Sequence, residues 1–355
     1  MATPKFASVS QSFHAELKKR VQNYFAEAGK PFTGEEKIYT KAGILGASFV
    51  FLFVHLVFFT PAAGWALLEC VLLGFVVAAI GFNIMHDGAH GSFSKYKWLN
   101  NVAAFSLNIL GGSHFMWNMK HNVIHHAYTN IDGVDDDIDI KPWMRMSTTQ
   151  PKYAMHRYQH IYFWFLYSML YILWIFVLDY QKYFKRKIGE MPLKKMGIGD
   201  HLIFWGFKVL HLILFVAIPI YTVGFVPWLI GFSVFAIVAG LTISIVFQLA
   251  HTVEHTHFPM PHEETGRLQD EWAVHQLKTT ANFAPNSKLI SWFVGGLNFQ
   301  VEHHLFPKIS HIHYPEIRRI IKQTCAEFNV PYIEYPKMRY AIASHVAFLK
   351  QMGRA

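Results

Sequence analysis

The sequence predicts an all-α integral membrane protein. Four transmembrane helices in two hairpins, with interfacial helices between them, carry a histidine-rich cap on the cytoplasmic side. Three observations point there. Hydrophobic residues fill 52% of the 355 positions and charged ones only 15%, against roughly 25% charged in a soluble domain. No Lys or Arg occurs from Ala42 to Ser94, nor from Val209 to Gly266. Of 22 histidines, nine fall in four tight groups.

The charge pattern sorts the partners. A net charge of +9 would suit nucleic acid if it lined a groove. Here the basic residues cluster between and around the two uncharged blocks, the positive-inside pattern of a membrane protein. A lipid bilayer is therefore the expected partner, and nucleic acid is not. The cationic face suits anionic lipid headgroups or the phosphates of a thioester carrier. Two cysteines, Cys70 and Cys325, are too few for a disulfide framework. The polar, basic start MATPKFASVSQSFHAELKKR lacks the apolar core of a cleavable signal peptide.

The elements follow in order. Residues 1–41 read as a cytoplasmic or interfacial segment, 42–340 as the single functional domain, and 341–355 as a tail. Spans of about 20 apolar residues are expected over Ala42–Phe59, Trp65–Met85, Leu202–Val223 and Pro227–Ala250. Both hairpin turns are short and uncharged, so they belong on the far side. A fifth apolar stretch, HIYFWFLYSMLYILWIFVL (160–178), is long enough to cross but crowded with Tyr and Trp, which prefer the interface. Crossing alone would put the histidines before and after it on opposite sides. It is expected to lie in the interface or to dip in and return.

The histidine groups are HDGAH (His86, His90), HNVIHH (His121, His125, His126), HTVEH (His251, His255) and QVEHH (Gln300, His303, His304). Residues four apart on a helix share a face, so two such imidazoles can converge on one metal. An adjacent histidine points about 100° away and can reach a second metal. Gln300 faces the same way as the pair it precedes. Groups at the cytoplasmic ends of spans would build one cage. Nine imidazoles exceed the four ligands of one zinc; imidazole suits iron, copper, nickel and zinc. The count fits two metals of four or five ligands each.

At these residues the chain resembles the membrane fatty acid desaturase family. HDGAH, HNVIHH and QVEHH match its three histidine boxes in order, type and spacing. The likeness extends through HHAYTNIDGVDDDIDI (125–140) and QLKTTANFAPNSKLISWFVGGLNFQVEHHLFP (276–307), similar to the front-end and linoleoyl-CoA-like branch, and covers roughly residues 40–340. The resemblance implies a di-iron centre ligated by His86, His90, His121, His125, His126, His251, His303 and His304. His255, Gln300 and Asp87 would be further ligands or their supports; Gln300 stands where other branches carry histidine. The implied activity is O2-dependent desaturation of a fatty acyl-CoA or acyl-lipid to a cis double bond, the acyl chain lying in a narrow apolar tunnel. Many members of the branch carry a fused cytochrome b5 domain with an HPGG haem motif. This sequence contains no HPGG, so no haem is expected and electrons would come from a separate cytochrome b5 or ferredoxin. A hydroxylase on the same scaffold is the nearest alternative, and a histidine-lined metal transporter a remote one.

Other residues carry expectations as well. Asp87, Glu254 and Glu302, inside their boxes, are candidates to orient ligand imidazoles, and Asp137 and Asp139 to support a ligand. Trp117 and Asn118 are candidates to line the substrate entrance. Trp143, Arg145, Lys152 and Arg157 are candidates to meet a headgroup. His257, His262 and His275 are expected near the metals, His311 and His313 on the surface. His14, His55, His114, His156, His160, His201, His211 and His345 read as amphipathic residues near the membrane face. Glu69 lies within the second span, where a charge is costly.

Overall fold

Among the described residues, four helices are long and apolar enough to cross a membrane. The computed structural model describes residues 4–9 and 12–355. Helix α1 (Phe13–Ala28) precedes the spans. Ser12 caps it by accepting from the Ala15 N–H, and its stripe of Phe13, Leu17, Val21 and Phe25 is buried against Ile317 and Ile321 near the C-terminus.

The first hairpin is α2 (Glu35–Phe58) and α3 (Ala63–His90). Helix α2 starts at Glu35, ahead of the apolar block at Ala42, because its polar first turn is helical outside that block. Helix α3 runs beyond Met85. A π turn at Gly81–Met85 shifts the hydrogen-bond ladder without stopping the helix, so His86 and His90 sit on the span's own last turns. Near the far end of the hairpin, Glu69 meets His55 at 2.9 Å, which gives the charge in the span a partner.

Helix α4 (Lys97–Ile109) buries Ala103, Ala104 and Leu107. Helix α5 (114–128) starts at the Ser113 cap and becomes a π helix over Met119–His125. The ambiguous stretch forms α6 (Ala154–Ser168) and α7 (Leu170–Lys185), bent by 58°. Both arms are tethered to one short segment: His156 to the Pro142 carbonyl at 2.7 Å, and Lys182 to Asp136 at 2.9 Å. The stretch is thus broken into two arms, each tied to the 136–142 segment, rather than running as one straight span.

The second hairpin is α8 (Ile198–Val223) and α9 (Phe225–His251), turning at Gly224 with φ 88°, a backbone conformation that glycine adopts readily. The bend of α6–α7 rests on α9 at Gly240. A Cβ there would lie 2.6 Å from the Ser168 carbonyl oxygen.

The cap follows. It contains α10 (Trp272–Thr279), strand Ala281–Phe283 paired in parallel with Ile333–Tyr335, α11 (Gln300–Leu305), α12 (Tyr314–Glu327) and α13 (Met338–Met352). The segment 341–355, expected as a tail, belongs largely to α13, which sinks Phe348 and Leu349 into the main core. Arg145 holds that end. Its guanidinium donates to the carbonyls of Met352 and Ala355, both at 2.8 Å, and it is buried. It is therefore unavailable to a headgroup, contrary to the expectation. Trp143 is exposed, as an interface anchor is. Gly240→Ala should lower the thermal midpoint of the detergent-solubilised protein, at a cost of about 1–3 kcal/mol for overpacking. Gly64→Ala, with nothing within 4 Å, should leave that midpoint in place.

Candidate metal centre

Four chain segments deliver histidines to one place. The end of α3 brings His86 and His90, α5 brings His121, His125 and His126, the last residue of α9 is His251, and α11 brings His303 and His304. A glycine pair makes the closest approach possible. Gly295 and Gly296 have φ of 61° and 69°, and a Cβ on Gly295 would run into the Phe82 carbonyl, just before the first box.

Ring nitrogens of His86, His90, His121 and His303 lie within 4.8 Å of one another. Those of His125, His251 and His304 do the same, and an overlapping set joins His121 and His125 to Asp137. His126 bridges the first two groups, with its ring centroid 4.6 Å from His303 and 4.4 Å from His304. The π geometry explains a difference from the expected spacing. Its hydrogen bonds close over five residues rather than four, so the Nε2 atoms of His121 and His126 meet at 3.2 Å. His121 and His125, four apart, fall into different main groups.

Four of these eight imidazoles are held by one nitrogen and free at the other. His125 Nδ1–H donates to Asp135 at 3.0 Å, His251 Nδ1–H to the Thr279 carbonyl at 3.2 Å, and His304 Nδ1–H to Gln276 Oε1 at 2.8 Å. His303 Nδ1 lies 3.1 Å from the Tyr314 hydroxyl. Their Nε2 atoms, and that of His90, are buried with no hydrogen-bond partner among the described residues. Leaving that many nitrogens unpartnered is costly, and converging lone pairs are what a metal takes up. Burial, then the closeness of other imidazoles, pushes His121, His126, His303 and His304 well below the ordinary histidine range. The shift favours the neutral ring, the form that ligates. For His125, burial pulls downward, but Asp135 and Asp137 outweigh it and the net shift is upward. The donor set fits a metal.

Other expected roles move. His255 is exposed, its ring 6.4 Å from that of Tyr335, outside the converging groups, because α9 ends at His251 and the chain turns away. His257 and His262 are exposed too. His275 is buried against Phe6. Asp87 supports no ligand imidazole through its side chain. It accepts from Ser310 at 2.9 Å and from His311 Nδ1–H at 3.0 Å, and His311 Nε2 reaches Lys41 at 3.3 Å. His311 and His313 are thus buried, not surface residues. Glu302 accepts from Asn282 and Tyr332, both at 2.7 Å, and burial raises it to about 7; it braces α11 against the parallel strands. Glu254 is exposed. Asp137 lies near His125 at 3.2 Å but is engaged by Lys120 at 2.7 Å, and Asp139 faces Lys141. Gln300 is buried with an unpartnered Nε2. Trp117 stacks on His121 at 4.5 Å, and Asn118 accepts from Asn122 at 2.6 Å. His156, His211 and His345 are buried structural residues rather than interfacial ones; His345 Nδ1–H donates to the Thr252 carbonyl just after α9.

A family model described as "Fatty acid desaturase" matches residues 60–336. The chain belongs to the fatty acid desaturase family. It is a membrane-bound enzyme that introduces double bonds into fatty acyl chains, from a family that is generally iron-dependent. The sn-1 linoleoyl-lipid 6-desaturase of Arthrospira platensis is 38% identical over 97% of this chain and 93% of its own length. The protein of the same name from Synechocystis sp. is 39% identical, over 97% and 96%. The acyl-lipid (8-3)-desaturase of Physcomitrium patens is 36% identical over 99% of this chain and 74% of its own.

Three supports of this desaturase's histidines escaped the sequence reading. Gln276 and Tyr314 lie outside the boxes, and Asp135 sits in an acidic run where attention fell on its neighbours Asp137 and Asp139. Only their aim at Nδ1 atoms separates them from ordinary polar residues. Asp135→Asn or Gln276→Leu should weaken metal retention by about 10–100-fold, read as metal content of the purified protein after dialysis against a weak chelator.

Proposed function

We propose that this desaturase acts on an acyl chain esterified in a membrane lipid, with a linoleoyl chain desaturated at carbon 6 as the preferred reaction. The near end-to-end similarity to two linoleoyl-lipid 6-desaturases supports the substrate. The observation that carries the site is the pair of converging histidine groups beside a narrow apolar cleft lined by His86, Phe82, Trp117 and Phe247. In this reading His86, His90, His121 and His303 would hold one iron. His125, His251 and His304 would hold the other, and His126 stands between the two histidine groups.

Bound there, the two irons would supply the O2-dependent oxidising power that no side chain has for an unactivated methylene. The chain's own residues do the positioning. The Asp135 carboxylate, the Thr279 carbonyl and Gln276 Oε1 each accept a hydrogen bond from an Nδ1–H and leave Nε2 aimed inward. The cleft keeps water away and lays the acyl chain alongside His86, where orientation is worth much of the rate. Two adjacent methylenes lose one hydrogen each to become a cis double bond. With two electrons and two protons supplied from outside, O2 leaves as two waters. The electrons come from a separate cytochrome b5 or ferredoxin. The histidine face lies on the cytoplasmic side, beside the basic segments.

Expression in a host of defined lipid composition, with mass spectrometry and double-bond localisation, should show a product two hydrogens lighter with its new bond at carbon 6. A gain of one oxygen would make it a hydroxylase instead. His125→Ala and His304→Ala should abolish turnover while the protein still inserts in the membrane; full activity in either removes that residue from the ligand set. Purified protein given O2 and substrate without a donor should make no product.

A further inference from the structure

A lysine is buried near the middle of a membrane span. Lys208 on α8 is 4% exposed, and its ammonium has three partners: the Asp179 carboxylate at 2.9 Å, the Gly111 carbonyl at 2.6 Å and the Ile175 carbonyl at 3.0 Å. The other carboxylate oxygen of Asp179 accepts the indole N–H of Trp174 at 3.1 Å. Trp174 opens a π turn, Trp174–Leu178, which disturbs the ladder of carbonyls; the one at Ile175 turns to Lys208. An ionisable pair within a bilayer is costly and tends to mark function. A well-packed apolar pair of similar volume would often serve stability as well or better, so a role beyond stability is called for.

The knot lies against the cleft. Leu110 and Gly112, either side of Gly111, line it together with Trp174 and Ile175. Trp174 packs with Met85, Leu107 and Trp117, and Trp117 meets His86 edge-on at 5.7 Å. The indole therefore stands near the histidine end. Of the residues around it in the cleft wall, Met85, Leu107 and Trp117 are fully buried whereas Trp174 is only partly so. Packing leaves one side of the ring open to the cleft, and the bond to Asp179 fixes which way the indole faces.

We propose that Trp174 is a specificity-determining residue. Its indole, held by Asp179 and through it by Lys208, sets the width of the cleft beside the histidines. It thereby selects which acyl chains enter and which pair of methylenes reaches the site. This rests on reading the cleft as the acyl site. Lys208 and Asp179 are positioning residues: one ammonium fixes the 110–112 turn and the π turn relative to each other, and the carboxylate fixes the ring.

The test compares Trp174→Ala, Trp174→Phe, Asp179→Asn and Ile243→Trp with the parent protein in a host supplying acyl chains of several lengths. Products are measured by mass spectrometry with double-bond localisation, per metal-loaded enzyme. A single methylene in an apolar pocket discriminates by about 10–200-fold. Trp174→Ala should accordingly change the product ratio between chain lengths, or between bond positions, by about tenfold or more. Trp174→Phe and Asp179→Asn should move it in the same direction by less. If Trp174→Ala fails to accumulate, those two variants decide by the same criterion. Ile243→Trp plugs the cleft and should abolish every product while metal is retained. Loss of activity in Ile243→Trp with an unchanged product profile in the Trp174 and Asp179 variants overturns the specificity role alone. Full activity in Ile243→Trp overturns the acyl reading of the cleft, and the inference with it.

Discussion

An imidazole has two nitrogens, and this fold spends them separately. For His125, His251, His303 and His304, one nitrogen is tied to the protein and the other is left bare in a buried space. That division fixes tautomer, ring orientation and charge at once. The surrounding structure serves it. The cap supplies Gln276 and Tyr314, the acidic turn supplies Asp135, and the strand entry supplies the Thr279 carbonyl. Without burial the rings would take protons; without the Nδ1 partners they would rotate. Burial acts on all eight imidazoles from positions 86 to 304, and the Nδ1 partners fix the four that they hold.

Delivery depends on broken helical regularity. Gly81–Met85, Met119–His125, Trp174–Leu178 and Ile213–Ala217 are π turns. The first two re-aim histidines. The others lie within the apolar part, where a carbonyl turned out of the ladder finds no water and needs another donor. Lys208 answers at Ile175, and the Trp228 indole N–H answers at Phe215, at 2.8 Å. Irregular backbone, normally a hazard in a bilayer, is tolerated here because a side chain from a neighbouring helix meets each exposed group.

The spans and the boxes were legible because their signals are local: apolar runs of sufficient length, and histidines at short spacing. All eight expected ligand histidines come together. The break in the stretch 160–178 was not legible in its apolar run, which has the length of a straight span; the 58° bend comes from its packing against Gly240 and its ties to the 136–142 segment. Less local features were hidden. Whether an acid in the run Asp135–Asp139 touches His125 is decided by a turn of one residue. His311 looks like a surface histidine until Asp87, 224 positions earlier, is folded against it. Arg145 looks like an interface cation until the C-terminal carbonyls close on it. His255 follows a box pattern, yet α9 stops four residues short of it. Propensity and periodicity carry no information about such long-range partners.

The contact between Asp87 and the Ser310–His311 pair has a consequence for biogenesis. During synthesis α2 and α3 enter the bilayer first, and Lys41 and Asp87 then stand at the mouth of that hairpin with no partner from the cap. Their partners Ser310 and His311 lie more than two hundred positions later, so the mouth of the hairpin closes only when the cap folds back over it, and membrane insertion of the hairpin alone leaves both charges unsatisfied.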